Sequence, residues 1–138
     1  MSAKGDLAQR YIDELWKNHN LDATSELFAP DHLYWDPYLP EPARGPEGAQ
    51  ARAAAYLGIF SDGVVTENEL YEDGDLVFLP WTFVGTHDGE IEGNPPTGKR
   101  ITIEGLHVFR IPGDRIAETR AYWWDLPGAM RDLGLMAI

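Results

Sequence analysis

The feature that most constrains the fold is a succession of predicted strands over residues 64–124. The first, "VVTENELYE", alternates apolar and polar side chains, and three longer predicted strands follow in "LVFLPWTFVGTH", "RITIEGLHVFRI" and "RIAETRAYWW". A period of two is typical of strands with one buried face, and the short turns "EDGD" and "PGD" favour antiparallel pairing. Pro80, within the first long stretch, is expected to mark a bulge or an edge.

Helices are predicted on either side of this region. Apolar residues at helical spacing predict a first helix over residues 6–18, and a short second helix is expected in "LDATSELF". A brief strand follows in "HLYWDP", Pro46 suits the first turn of a third helix in "PEGAQARAAAYLGIF", and a last helix is predicted around "LPGAMRDLG". Helices followed by a meander of strands indicate an α+β fold, with one domain over residues 1–138.

The composition excludes several kinds of partner and site. The 138 residues carry a formal net charge of −12, which argues against nucleic acid or an anionic membrane as a partner. The absence of cysteine removes disulfides, thiol catalysis and thiolate metal sites. No segment has the pattern of a signal peptide and no apolar run approaches the length of a membrane span, so we expect a cytoplasmic protein.

The stretch "GNPPTGKR", residues 93–100, is close to a phosphate-binding loop but differs from it at positions that would bind the phosphate and its magnesium ion. Arg100 replaces the Ser or Thr that would bind magnesium, and Pro95 and Pro96 have no N–H to offer a phosphate. A strand, not a helix, is predicted to follow. We therefore interpret the stretch as a hairpin connection at the rim of a cavity.

Three segments together carry a resemblance to a known family. "GTHDGEIEGNPPTGKRITIEGLHVFRI" follows the pattern G-x-H-x-G-x(3)-G-x-P-P-T and continues into a strand that contains a histidine. "FAPDHLYWDP" and the following "GPEG" look like an early strand and helix entry, and "DLPGAMRDLG" looks like a C-terminal D-x-x-G-x-x-R-Q-L-G. Over nearly the whole chain, these segments resemble the SnoaL-like polyketide cyclases, within the superfamily shaped like nuclear transport factor two.

The resemblance implies a cone-shaped α+β barrel, in which a curved antiparallel sheet packs on three helices around a deep, mostly apolar pocket. It also implies a homodimer and a small, apolar, oxygenated substrate, with no cofactor. Relatives in the cyclase branch perform a cofactor-free intramolecular aldol condensation on a polyketide ester. Isomerases, epoxide hydrolases, dehydratases and binding modules share the fold, so the fold alone does not select the reaction.

His107 matches the histidine that the family places in this strand. It alternates with Ile103, Gly105 and Phe109, so these four residues are predicted to share one strand face. We expect the imidazole to face the pocket and to take part in proton transfer. The alternative is a buried core histidine bonded to a backbone carbonyl.

The family's acid/base aspartate in the last strand is missing from this chain, because alignment places Ala121 or Tyr122 at its position. Asp36, in "YWDP", is a candidate replacement base, with its pKa raised by burial beside aromatic side chains. An equally good interpretation makes Asp36 the initiator of an Asp-Pro turn. Asp125 is predicted to cap the last helix.

Aromatic side chains complete the predicted site. Tyr122 is proposed as the third catalytic residue, and either Tyr122 or Tyr34 would donate a hydrogen bond to a substrate oxygen. Such rings could instead fill a core or a dimer interface. No His-x-His or His-x-x-x-His spacing supports a metal site. Six further residues are predicted to bind substrate: Tyr34, Tyr38, Trp81, Trp124, His87 and Phe109.

The leading functional hypothesis is a cofactor-independent cyclase, lyase or isomerase that acts on a small apolar substrate. A non-catalytic small-molecule binding module is the alternative, because the last-strand aspartate is absent. Epoxide hydrolysis ranks third, since Arg120 lacks the adjacent aspartate that a relay of aspartate, arginine and aspartate would need.

Overall fold

The first helix, α1, is capped at its N-terminus by Ser2, whose hydroxyl accepts a hydrogen bond from the backbone N–H of Gly5 at 3.2 Å. It covers Ala3–Tyr11 and continues as a π-helical segment over Ile12–Lys17. The structure, a computed structural model, describes residues 2–37, 39–124 and 126–134. The predicted first helix is confirmed, with a start three residues earlier than expected.

The remaining helices lie close to their predicted places. A single 3-10 turn, Leu21–Ala23, leads into the short helix α2, Thr24–Leu27. Helix α3 covers Gly45–Ile59 with a proline in its first turn, as predicted, and α4 covers Leu126–Asp132. Within the described residues, no helix is both long enough and apolar enough to cross a membrane.

One sheet contains all the strands of the described chain. Its strand order is β2-β1-β7-β6-β5-β3, and β4 pairs with β5 beside β3. Each strand pair is antiparallel except β1 and β7, which are parallel. The α+β prediction is confirmed, and the sheet is antiparallel at every pair but this one. The strands are β1 (Phe28–Trp35), β2 (Ala43–Arg44), β3 (Val64–Glu67), β4 (Tyr71–Asp73), β5 (Leu76–Thr86), β6 (Arg100–Arg110) and β7 (Ile116–Trp124).

Of the two alternatives predicted for Pro80, a bulge or an edge, the bulge is absent, and Pro80 instead lies where neither β3 nor β4 pairs with β5. The register between β5 and β6 is continuous on both sides of it. On the other side of β5, the single strand predicted over residues 64–72 is divided into β3 and β4, and the N–H of Asn68 between them donates to the carbonyl of Pro80 at 2.9 Å. Because the N and C=O of one residue point to the same side of a strand, the missing N–H of Pro80 faces this break.

The helices cover the buried face of the sheet. Helix α1 packs against β5, the π-helical segment against β3, α3 against β1, and α4 against β6. Alternate residues of the strands point into the space between them, which confirms the period-two prediction. The buried strand side chains include Val77, Leu79, Trp81, Phe83, Ile101, Ile103, His107, Phe109 and Ala121.

Gly105 allows the indole of Trp81 to lie across β6. The two residues are direct partners in the register of β5 and β6. A Cβ atom at position 105 would overlap the Trp81 ring and the carbonyl oxygen of Tyr122. A glycine in a strand interior is otherwise unfavourable, so its presence here is explained by the close approach of the ring.

We expect Gly105→Ala to lower the free energy of unfolding by about 1–3 kcal/mol, because the added methyl group forces Trp81 away from its position. Gly58→Ala is a matched control, since a Cβ at position 58 in α3 meets no atom within 4 Å and alanine favours a helix. Urea unfolding followed by circular dichroism measures both. Equal stabilities for the two variants would contradict this account of Gly105.

Candidate active site

An inner cavity of about 20 Å³ lies against the middle of β5 and β6. Its walls are nearly all apolar, and aromatic rings make up most of them. A space of this size holds about one water molecule or one small chemical group. The lining residues are Ile12, Trp16, Tyr34, Tyr56, Val65, Trp81, Phe83, His107 and Trp123.

His107 is held at the inner cavity by hydrogen bonds on both ring nitrogens. The indole N–H of Trp81 donates to Nδ1 at 2.5 Å, and Nε2 lies 3.3 Å from the hydroxyl oxygen of Tyr11. Since the indole is only a donor, Nδ1 must be the acceptor, and the neutral imidazole carries its proton on Nε2. The lone pair that a general base would need is therefore already engaged by Trp81.

Burial keeps the imidazole of His107 neutral. The side chain is enclosed by the rings of Tyr11, Tyr34, Trp81 and Phe109. Loss of hydration lowers the pKa of His107 to about 3, and the nearby charge of Asp36 opposes this only in part. His107 is thus uncharged at neutral pH.

Tyr11 extends this network toward the helix. Its hydroxyl oxygen accepts a hydrogen bond from the indole N–H of Trp16 at 2.9 Å, in addition to the contact with Nε2 of His107. Burial raises the pKa of Tyr11 above its ordinary value, so the phenol remains protonated. The network of neutral donors and acceptors therefore fixes one wall of the inner cavity.

A buried carboxylate, Asp36, lies just beyond the end of β1. Its side chain is fully enclosed, and Tyr56 donates a short hydrogen bond to Oδ2. The Nη2 atom of Arg52 lies 3.3 Å from the same oxygen and donates to the Tyr56 hydroxyl at 3.0 Å. Burial is the larger cause that raises the pKa of Tyr56, and the charge of Asp36 is the next. The proton of the Tyr56–Asp36 hydrogen bond therefore stays on the Tyr56 hydroxyl.

Arg52 and Tyr56 were not among the residues predicted from the sequence. They stand four residues apart on α3, so their side chains lie on one face of the helix. The signal that could have found them is this pair of large polar side chains within an otherwise alanine-rich helix. The Cζ atom of Arg52 lies 5.0 Å from the centroid of the Tyr56 ring, which adds a cation–π contact.

A much larger outer cavity, of about 530 Å³, opens next to the inner one. Tyr56 and Trp123 line both cavities, and their ring centroids are 5.0 Å apart. This pair of rings therefore separates the two spaces. The other lining residues of the outer cavity are Arg52, Ala55, Ile59, Phe60, Glu90, Ile91, Glu92, Ile101, Ile103, Ala129, Met130 and Leu133.

The connection between β5 and β6 contributes Glu90, Ile91 and Glu92 to the rim of the outer cavity, whereas none of residues 93–100, for which a rim position was predicted, lines it. The backbone N–H groups of Asp88 and Gly89 both donate to the carbonyl of Ile59, each at 3.0 Å. His87 is buried and its Nδ1 accepts from the N–H of Thr97 at 3.2 Å. The rim is thereby attached to the C-terminal end of α3, and His87 has a structural place within it.

The structure brings part of the predicted site together. Tyr34, Trp81 and His107 line the inner cavity, and Asp36 lies behind Tyr56. Phe109 is fully buried in the core against Tyr11 and lines neither cavity.

Tyr122 and Trp124 lie on the outer face of the sheet, which corrects their assignment to the site. They are 43% and 54% exposed, whereas Trp123 between them lines both cavities. The alternation of side chains along a strand explains this, because adjacent residues point to opposite faces. Ala121, one of the two positions at which alignment placed the family's missing aspartate, is the direct strand partner of His107.

Two predicted residues, Tyr38 and Asp125, lie outside the described residues, so their predicted roles stay predictions. Among the described ranges 2–37, 39–124 and 126–134, no three His, Asp or Glu side chains come together in a group that could hold a metal ion.

The comparisons with known proteins agree with this architecture. Residues 6–133 match the model of the SnoaL-like polyketide cyclase family. The chain is similar to the aklanonic acid methyl ester cyclase DauD of Streptomyces sp. (strain C5), with 32% identity over 97% of this chain and 83% of DauD. It has the same 32% identity to the aklanonic acid methyl ester cyclase DnrD of Streptomyces peucetius, over 97% of this chain and 92% of DnrD.

A solved structure from Acidithiobacillus ferrooxidans, described as a candidate polyketide cyclase, superposes with a TM-score of 0.86. It is 27% identical and covers 99% of this chain and 97% of its own. The chain therefore belongs to the SnoaL-like polyketide cyclase family, and it is an enzyme of the cyclase class.

The lowered pKa of His107 predicts how stability changes with pH. Between about pH 6.5, the ordinary pKa of histidine, and the folded value of about 3, the unfolded chain binds a proton that the folded protein does not. The stability that His107 contributes is complete above this window and is lost as the pH falls through it.

We therefore expect the stability difference between the wild type and His107→Gln to shrink by about 1.4 kcal/mol per pH unit below about pH 6. Urea unfolding of both proteins at several pH values measures this. A difference that is independent of pH would show that the imidazole is not held in its neutral form.

Proposed function

We propose that this protein is a cofactor-independent cyclase that closes a ring in a polyketide ester by an aldol-type reaction. Family membership supports the class of reaction, and the two Streptomyces relatives are named for a methyl ester substrate. The outer cavity supports a sizeable, mostly apolar substrate. The observation that carries the proposal is the hydrogen bond from Tyr56, which lines both cavities, to the enclosed carboxylate of Asp36.

Aldol ring closure needs one proton acceptor and one proton donor, and no redox step. A proton leaves the carbon next to the substrate carbonyl groups, and the resulting carbanion attacks a second carbonyl carbon of the same molecule. The oxygen of that carbonyl becomes an alkoxide and must receive a proton. The same protein group can take the first proton and return it in the second step.

Tyr56 and Asp36 form a relay suited to this task. Asp36 lines neither cavity, so the substrate proton would pass to the hydroxyl oxygen of Tyr56 while the phenolic proton moves to Asp36. The raised pKa of Tyr56 disfavours a free phenolate, which favours one concerted transfer. Arg52 donates to the Tyr56 oxygen and can stabilise charge that develops there. Reversal of the relay protonates the alkoxide.

His107 has a different part in this proposal from the one expected from the sequence. Its Nδ1 lone pair accepts from Trp81 and its Nε2 faces Tyr11. We assign His107 the role of a positioning residue, which fixes Trp81 and the aromatic wall of the inner cavity. Tyr34, beside it in the same wall, remains the candidate donor for a substrate oxygen.

We expect Tyr56→Phe and Asp36→Asn each to lower kcat by about 10²–10³-fold, since each removes one half of the relay. The measurement is turnover of aklanonic acid methyl ester, the substrate named for the relatives. Tyr71→Phe is the matched control, because Tyr71 is 52% exposed on β4 and lines neither cavity. Full activity in either relay variant would refute the mechanism.

The split between kcat and KM separates a chemical role of Asp36 from a structural one. Asp36→Asn should lower kcat and leave KM within about threefold of the wild type, whereas a structural role would raise KM and lower the stability of the fold as well. His107→Gln should keep activity within about tenfold of the wild type, whereas loss of a general base would cost about 10²-fold or more.

A non-catalytic binding module is the second candidate, and Ala121 is the observation that favours it. Ala121, one of the two positions aligned with the family's missing aspartate, is the strand partner of His107 and brings no carboxylate to it. Saturable binding of polyketide esters without any product would establish this function. Product formation that depends on Tyr56 would exclude it.

A further inference from the structure

The polar side chains that line the inner cavity already donate their protons to other side chains. The indole N–H of Trp81 donates to His107, and the indole N–H of Trp16 donates to Tyr11. The Nε2–H of His107 faces the hydroxyl oxygen of Tyr11. Tyr56 donates its hydroxyl proton to the buried carboxylate beyond the end of β1. These groups therefore have no proton left for a molecule inside the cavity.

The two remaining polar side chains of the wall add little. The indole N–H of Trp123 is buried away from the surface of the cavity. Among the described lining residues, the Tyr34 hydroxyl is thus the one N–H or O–H group free to donate to an occupant. A buried water molecule makes about three hydrogen bonds, and a cavity with apolar walls stays dry. The inner cavity therefore favours an apolar occupant.

The volume of the inner cavity matches one methyl group. A dry protein cavity of about 150 Å³ binds benzene, which corresponds to about 25 Å³ for each carbon atom. The inner cavity, of about 20 Å³, has room for about one carbon on the same scale. Its wall includes Val65 and Phe83, which are direct partners in the register of β3 and β5. A longer chain would have to displace such packed side chains, which is unfavourable.

We propose that the inner cavity is a subsite for a methyl substituent of the substrate and that it excludes longer alkyl groups. This inference rests on the proposed cyclase function and adds an alkyl substituent to its substrate class. Tyr56 and Trp123 line both cavities, so a molecule in the outer cavity lies against the two rings that border the inner one. A methyl group held in the inner cavity would fix which carbon of the substrate lies beside the Tyr56 hydroxyl.

Binding of four hydrocarbon probes tests the subsite without turnover. The probes are naphthalene and its methyl, ethyl and propyl derivatives, which share one ring system and differ in chain length. Calorimetry at neutral pH should show that methylnaphthalene binds about threefold to fivefold more tightly than naphthalene, because one methyl group is buried. Propylnaphthalene should bind no more tightly than methylnaphthalene. A steady gain through the propyl derivative, or no gain from the methyl group, would overturn the proposal.

Val65→Ala enlarges the inner cavity and leaves the outer one unchanged, because Val65 lines only the inner cavity. We expect the affinity for propylnaphthalene relative to methylnaphthalene to rise by about fivefold to tenfold, since the longer chain is then accommodated. Val77→Ala is the matched control, because Val77 is fully buried on β5 and lines neither cavity. The same affinity ratio in both variants would contradict the subsite.

A measurement on the wild type keeps the test independent of variant folding. In nuclear magnetic resonance spectra, the methyl protons of bound methylnaphthalene should show Overhauser contacts with the methyl groups of Val65. Absence of these contacts in the bound state would overturn the proposal. The result is also separable from the proposed function. Methyl-selective binding without cyclisation would refute only the cyclase proposal, and cyclisation without methyl-selective binding would refute only the subsite.

Discussion

The enclosure of the Asp36 carboxylate by two side chains of α3 is the interaction on which the site depends. A carboxylate without solvent contact is costly, and it is tolerated where hydrogen bonds and an opposite charge compensate. Tyr56 and Arg52 supply both. Because Asp36 follows β1 and its partners lie on α3, the same contact fixes the helix against the end of the strand. The ring of Tyr56 is thereby placed where the inner and outer cavities meet.

His107 shows how the neighbours of a residue limit the chemistry that it can perform. The histidine occupies the expected strand face, yet the residue across from it is Ala121. No carboxylate stands at that position to hold a proton for the imidazole, and Trp81 takes the available lone pair. Acid/base chemistry at this site then needs another carboxylate. Asp36 is one that the fold places near His107, close enough to affect its pKa.

Much of the fold could be predicted from the sequence because its pattern is local. The strand patterns over residues 64–124 identified the strands, and the alternation around His107 identified its face. Apolar residues at helical spacing identified α1, and Pro46 before an alanine-rich stretch identified α3. The parallel pairing of β1 with β7 could not be predicted, since it joins segments about 90 residues apart in the chain by a contact that leaves no local signal.

The site was less predictable for the same reason. The sequence placed Tyr122 and Trp124 on one face and Trp123 on the other, but periodicity does not say which face is inside. Arg52 and Tyr56 carry no motif, and their role appears only when α3 meets the end of β1. The tautomer of His107 depends on Trp81, whose position depends in turn on the missing side chain of Gly105. Each of these is a contact between distant segments.

The attachment of the rim to the end of α3 affects how a substrate can enter the outer cavity. The consecutive backbone N–H groups of Asp88 and Gly89, in the connection between β5 and β6, both donate to the carbonyl of Ile59. We therefore expect the rim of the outer cavity to move together with α3 and not as an independent flap. Entry and departure of a molecule would then be governed by rotation of individual side chains such as Ile91. Rotations of exposed side chains take picoseconds to nanoseconds, so substrate entry would not limit the rate of turnover.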